Sequence, residues 1–169
     1  MSLAILAREG FNAAIIMGIS DMIAQLAIEK RSYKDYNLSR TARYSAIGLF
    51  VCGPLLRRWY IKLDTLVSKD QPALQRSLKK MVVDQTCFAP PFTLLLSYLV
   101  PLVNGERHAD IVQRIREQYF TILQRGYMLW PLAQLINFTL IPINYQVLFV
   151  QLTLLIWNCY LSIALNEKK

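Results

Sequence analysis

The chain has 169 residues, is 54% hydrophobic and 18% charged, and has a mean hydropathy of +0.30 and a formal net charge of +8. That length suits one compact domain and not two, and so apolar a chain needs its charges gathered in loops and interfacial helices. The basic residues are spread over several loops, which excludes the single basic stripe of a direct nucleic-acid binder and suits anionic headgroups, at about 1 kcal/mol per residue.

In chain order, residues 1–12 carry Arg8 beside Glu9. They show neither a basic segment leading to a small-residue cleavage site nor an Arg-rich, acid-free leader, so no removed signal is expected. The first apolar segment, 10–28, is broken by Asp21 alone. Its Ala14 and Gly18 are four apart, a spacing that lets another helix approach closely. A polar loop follows from Glu29 to Arg43. The second span is expected over 44–63. Its apolar core, 44–56, is too short to cross a bilayer of about 20 residues, so the helix continues through Arg57, Arg58, Trp59 and Tyr60, residue types that anchor at the headgroup boundary.

The third span, 81–103, has Asp84 and Gln85 near its start and Pro90-Pro91 inside. Asn104-Gly105 marks a turn. Residues 108–125 place Ile111, Ile115, Tyr119 and Ile122 at helical spacing, opposite Arg114, Glu117 and Gln118. This pattern predicts an amphipathic helix on the membrane surface or against the end of the bundle.

From Gly126 to Asn166 the chain runs 41 residues without Asp, Glu, Lys or Arg, long enough to cross twice. It reads as spans 126–141 and 145–165, joined by a tight turn at Pro142-Ile143-Asn144, with Trp130 and Trp157 as further interfacial anchors. Prolines in or beside the later spans bend them, which neighbouring helices tolerate. The fold expected is all-α: a single integral membrane domain over 1–169, a multi-pass transmembrane helical bundle of four to five kinked spans plus one amphipathic surface helix.

Carboxylates in hydrocarbon are expensive and face a polar interior or a partner. Asp21 and Gln25 share a helical face. Asp84 and Gln85, and Gln134 with Asn137, add polar groups to later spans, as do Gln151 and Asn158. These residues either line an aqueous path or tie helices together. Arg40, Arg43, Lys79 and Lys80 are the candidate ionic partners. Cys52, Cys87 and Cys159 lie in apolar segments, read as small buried hydrophobes with no disulfide framework. His108 is the only histidine and is expected in a loop. No second His or Cys stands at metal spacing, and no nucleophile–base set or phosphate loop is present. No catalytic residue, metal or cofactor is therefore expected.

An ordered set of motifs runs through nearly the whole chain. It comprises Asp21-x-x-x-Gln25, Arg40-Thr41-x-Arg43, Gly48, Gly53-Pro54 and Trp59-Tyr60-x-x-Leu63-Asp64. Later come Lys80-x-x-x-Asp84-Gln85 with Phe88-Ala89-Pro90, Trp130-Pro131-x-x-Gln134-x-x-Asn137-Phe138-x-x-x-Pro142, and Trp157-Asn158-x-Tyr160-Leu161-Ser162. This set resembles the Mpv-seventeen / peroxisomal membrane protein (PMP twenty-two) family, and looks closest to its mitochondrial inner-membrane member. Three positions depart from the family pattern. Ser20 replaces a usual Gly, Arg57 or Arg58 stands near a common His, and Gln146 replaces a usual Arg, so any gating or anion selectivity carried by that Arg does not transfer.

The resemblance implies a small multi-pass protein of the mitochondrial inner membrane or, alternatively, the peroxisomal membrane. It further implies a weakly selective channel or metabolite-transport modulator supporting mitochondrial homeostasis and mitochondrial DNA maintenance. Its pore-lining candidates are Asp21, Gln25, Asp84, Gln85, Gln134 and Asn137. The alternative is a non-conducting structural or assembly partner. Expected partners are the lipid bilayer, small metabolites or ions, and further copies or other membrane proteins, with no direct nucleic acid.

Overall fold

The computed structural model describes residues 3–166, with side chains through residue 157. Among them every regular element is helical. The order is α1 (Leu3–Ile23) with a π turn (Ala24–Ile28), a 3₁₀ turn (Tyr33–Asp35), α2 (Leu38–Ile47), a π turn (Gly48–Cys52), α3 (Gly53–Leu66), α4 (Ala73–Val83), a π turn (Asp84–Phe88), α5 (Ala89–Val103), α6 (His108–Leu140) and α7 (Gln146–Asn166). Two continuous helices are long and apolar enough to cross a membrane, Leu3–Ile28 with 26 residues and Ala73–Val103 with 31.

Two of the π turns have a cause in the sequence. Proline lacks an N–H, and its ring crowds the carbonyl four residues back. The turn Gly48–Cys52 stands just before Gly53-Pro54, and Asp84–Phe88 just before Ala89-Pro90-Pro91. Widening the turn moves the crowded carbonyl aside without ending the helix. Gly53 N–H and Ala89 N–H accordingly reach back five residues, to the carbonyls of Gly48 and Asp84. The third π turn ends α1, where Lys30 adopts the left-handed φ of 53° that stops a helix.

The described chain divides into two compact units, Met1–Arg58 with Val147–Lys169, and Trp59–Gln146. In the first, α1 packs on α2 and the following π turn. Glycines make this approach close. A Cβ on Gly48 would stand 2.6 Å from the Ala13 carbonyl oxygen, and one on Gly53 2.5 Å from that of Glu9. Gly18, expected on a close-contact face, lies against Ser45, and Ala14 lies against Gly48.

In the second unit α6 packs on α4 and α5. Tyr60, Leu63, Ile111, Ala133 and Phe138 are buried, with Tyr60 and Phe138 edge to face at 5.5 Å. Ser77 Oγ donates to the Phe138 carbonyl at 3.1 Å. α5 ends in a Schellman turn: Glu106 N–H bonds Pro101 O at 3.1 Å, Gly105 N–H bonds Leu102 O at 3.0 Å, and Gly105 has φ +85°.

Residues 108–125 and 126–140 are halves of one helix. No strong breaker separates them, and the chain does not turn until Pro142, whose carbonyl accepts from Tyr145 N–H at 2.8 Å. The apolar side of the first half is turned inward: Ile111 is fully buried and the Tyr119 hydroxyl bonds Pro90 O at 3.0 Å. Two expectations need correction. His108 opens α6 instead of lying in a loop, and its Nδ1 is 3.0 Å from the Tyr98 hydroxyl. Cys87, expected to be buried, is exposed, whereas Cys52 is buried; lying in an apolar segment does not fix which face of the helix a residue occupies. Cys159, Asn158, Tyr160, Leu161 and Ser162 lie outside the described side chains.

Candidate functional site

Each unit has a polar cluster around a buried aspartate; the first unit also buries Glu9, paired with Arg8 at 2.9 Å. In the first unit, Asp21 on α1 is fully buried and stands 2.7 Å from Arg40 Nε. Its Oδ2 accepts from Gln25 Nε2 at 2.7 Å and from the Thr41 hydroxyl at 2.6 Å. Gln25 also donates to the Asn37 carbonyl at 3.1 Å and accepts from the Asn37 N–H at 2.8 Å. Asn37 in turn caps α2 by accepting from Arg40 N–H at 2.9 Å. Arg40 reaches outward as well, to Glu29 at 2.8 Å. Burial pushes the Glu29 carboxyl up, but Arg40 and then Arg31 outweigh it and hold it below the usual carboxylate range. Asp21, Gln25 and Arg40 thus bind the end of α1 to the start of α2.

In the second unit, Asp84 is buried and accepts from three donors. These are Trp59 Nε1 at 2.7 Å, Gln85 Nε2 at 2.8 Å and Gln134 Nε2 at 2.8 Å. Gln134 also bonds the Tyr60 hydroxyl at 3.0 Å, and its Oε1 accepts from Asn137 Nδ2 at 2.9 Å. Gln85's backbone carbonyl cannot find a helical donor at Pro90; the Tyr127 hydroxyl supplies one at 2.9 Å. Near the C-terminal end of α3, Asp64 pairs with Arg76 and Lys80, each at 2.5 Å.

The six polar candidates are all buried, but they fall into two sets: Asp21 and Gln25 in one unit, Asp84, Gln85, Gln134 and Asn137 in the other. Of the candidate ionic partners, Arg40 meets Asp21, whereas Lys80 turns to Asp64 and Lys79 is exposed. Among the expected anchors, Arg57, Tyr60 and Trp157 are buried, Trp59 and Trp130 are half-buried, and Arg58 is exposed. Trp59 and Tyr60 spend their polar tips on the Asp84 cluster.

Sequence reasoning named Thr41 and Asp64 only as motif positions, without a partner, and missed Asn37 and Tyr127. Tyr127 could have been sought as the donor that the prolines after Gln85 demand. Gln151 is fully buried with neither amide atom bonded, and Glu9 Oε2 is likewise unbonded. Among the described residues no three His, Cys, Asp or Glu gather as a metal site.

A proline-bent, all-helical chain with this motif set has close relatives. It is 48% identical over 160 residues to the mitochondrial inner membrane protein Mpv17 of Drosophila melanogaster, covering 95% of both chains. The chain belongs to the Mpv17 / PMP22 family. The family profile itself matches residues 102–162. Family members named mitochondrial inner membrane protein Mpv17 from Danio rerio and Mus musculus are each 36% identical, over 92% and 89% of this chain and 86% and 84% of theirs. No solved structure gives a significant match. The expected location follows: this member, like those relatives, is a protein of the mitochondrial inner membrane.

Proposed function

We propose that this family member is a weakly selective channel, or a modulator of small-metabolite passage, in the mitochondrial inner membrane. Its chain would cross four or five times, with 38–66, 108–140 and 146–166 adding to the two long apolar helices. The observation that carries this reading is an inverted interior. Among the described residues, thirteen polar or charged side chains are buried beside fifteen apolar ones, while twenty-four large apolar side chains are exposed. Lipid covers such an exterior, and buried polar groups in a membrane protein mark substrate or ion pathways. On α6 the exposed residues Met128, Leu132 and Leu140 extend the apolar outside well beyond the two clear spans. Passage of nucleotides or their precursors would link the protein to mitochondrial homeostasis and mitochondrial DNA maintenance.

Purified full-length protein in liposomes loaded with solutes of graded size tests the proposal. Release faster than from protein-free liposomes is expected, with a different size or charge preference for Asp84→Asn. Absence of release from both proteins overturns it.

A second reading draws on a specific observation. Asp21 and Asp84 are each surrounded by hydrogen-bond donors of their own unit, as helix ties would be. A non-conducting structural or assembly role would leave the liposomes closed, while Asp84→Asn would still loosen the fold.

A further inference from the structure

Three hydrogen bonds fix the register of α6 beside the helix that precedes it. The Tyr98 hydroxyl meets His108 Nδ1 at 3.0 Å, the Tyr119 hydroxyl donates to the Pro90 carbonyl at 3.0 Å, and the Tyr127 hydroxyl donates to the Gln85 carbonyl at 2.9 Å. Residues 108–127 of α6 therefore lie level with 85–98, over about 20 Å of helix. That neighbour belongs to the continuous helix Ala73–Val103, long and apolar enough to cross a membrane, and 86–104 carry no charged residue. The charged half of α6 is thus held at the depth of an apolar span.

The two faces of this half differ. Ile111 and Gly126 are buried on one side. On the other, Gln113, Arg116, Phe120 and Gln124 recur at intervals of three and four, with Glu117 beside them, so they share one helical face. All five are exposed. Arg107 and Arg114 are already paired, with Asp110 and Glu106. Arg116 and Glu117 have no ionic partner among the described residues; Glu117 only accepts from Gln113 Nε2 at 2.9 Å. Ionised groups at hydrocarbon depth are expensive and face a polar partner instead of lipid. This stripe sets one cation and one anion side by side at its centre, with a glutamine above and below, and is complementary to itself.

We propose that the stripe is the contact between two copies of the chain, with α6 packed on α6 of the second copy about a two-fold axis along the membrane normal. Such an axis brings equal depths together, so Arg116 of each copy meets Glu117 of the other and the pair forms twice. Gln113 and Gln124 hydrogen-bond across the same axis, the kind of tie that joins helices in lipid, and Phe120 packs between them. The contact does not depend on whether the protein conducts.

The test is disulfide cross-linking of the purified full chain in liposomes at low protein-to-lipid ratio, with copper phenanthroline as oxidant. Phe120→Cys should give a covalent dimer. Gln118→Cys, at the same depth on another face, and the wild type, whose own cysteines set the background, should not. With Phe120→Cys present, Arg116→Glu or Glu117→Arg alone should lose the dimer, because each sets like charges against one another. The two reversals together should restore it. No dimer from Phe120→Cys, as much dimer from Gln118→Cys, an unchanged yield in either single reversal, or a double reversal that stays monomeric would overturn the proposal.

Discussion

Arg40 is the cationic neighbour of Asp21, and this makes the pair a sharp test of the first unit. Arg40→Gln removes a contact of 2.7 Å to a fully buried carboxylate and one of 2.8 Å to the partly exposed Glu29. Stripping one partner from a buried ion pair costs about 3–5 kcal/mol. Gln25 and Thr41 still donate to Asp21, which places the loss near the lower end, about 3 kcal/mol. The Glu29 contact adds only about 0.5 kcal/mol, since it is exposed to solvent.

A total of about 3.5 kcal/mol corresponds to a fall in Tm of roughly 7–14 °C for a chain of this size. Asp21→Asn keeps the shape and removes the charge, leaving Arg40 its Glu29 contact, and should cost about 2 kcal/mol. The double variant should cost far less than the two losses added, giving a coupling of about 2–3 kcal/mol. Arg31→Gln, which disturbs only the exposed pair with Glu29, is the control and should stay within about 0.5 kcal/mol. Reversible thermal unfolding of the four proteins in one detergent measures the cycle. A coupling below about 0.5 kcal/mol would refute the assignment of Arg40 as the charge partner of Asp21.

Other substitutions separate backbone contact from side-chain contact. Gly48→Ala puts a methyl 2.6 Å from Ala13 O and 2.8 Å from Ala14 N, so α1 must move; a loss of about 1–3 kcal/mol is expected in the same unfolding assay. Gly126→Ala meets only the Trp130 ring edge at 3.3 Å and should be near neutral. Tyr127→Phe removes the donor to the Gln85 carbonyl and should cost about 1–3 kcal/mol, as for any buried acceptor left unpaired. Burial works to raise the Glu29 carboxyl, but Arg40 and then Arg31 hold it below its ordinary value. Its folded value lies below the unfolded one, so the stability it contributes is present above about pH 4.5 and is lost as pH falls through the folded value. Glu29→Gln should flatten the acid limb of a Tm-against-pH curve; an unchanged limb would count against the Arg40 and Arg31 pairing.

Much of the first cluster was legible in the sequence because it is local. The four-residue spacing of Asp21 and Gln25 sets both on one helical face, and Arg40 begins the next helix one short loop away. The second cluster was only half legible. Lys80 stands four residues before Asp84, the spacing of a helical ion pair, yet Asp64 takes it because α3 and α4 end and begin beside each other. Trp59 and Tyr60 carry the composition of a headgroup belt, and amphipathic rings serve a buried acceptor equally well. Periodicity cannot distinguish those two uses. The continuity of α6 was hidden by its own composition, since a charged half and an apolar half read as two elements although the backbone pattern has no stop between them. The π turns were implicit in the prolines but not in any helical period, and the apolar composition around Cys87 did not reveal that it lies on an exposed face.

In water, apolar burial holds helices together. In a bilayer that drive between helices is absent, and packing and hydrogen bonds must place them. This explains why amides dominate the buried polar set, with Gln25, Gln85, Gln134, Asn137, Gln146 and Gln151 all inside. An amide both donates and accepts, so it can pass directionality from one helix to the next, which a hydroxyl free to rotate does not fix. Gln134 on α6 does this most fully: it donates to Asp84 beyond α4, bonds Tyr60 on α3, and sets the orientation of Asn137 on its own helix. The orientation of that layer therefore follows from one acceptor, the Asp84 carboxyl. Replacing Asp84 by a residue without an acceptor frees the Gln85 and Gln134 amides from the contacts that orient them.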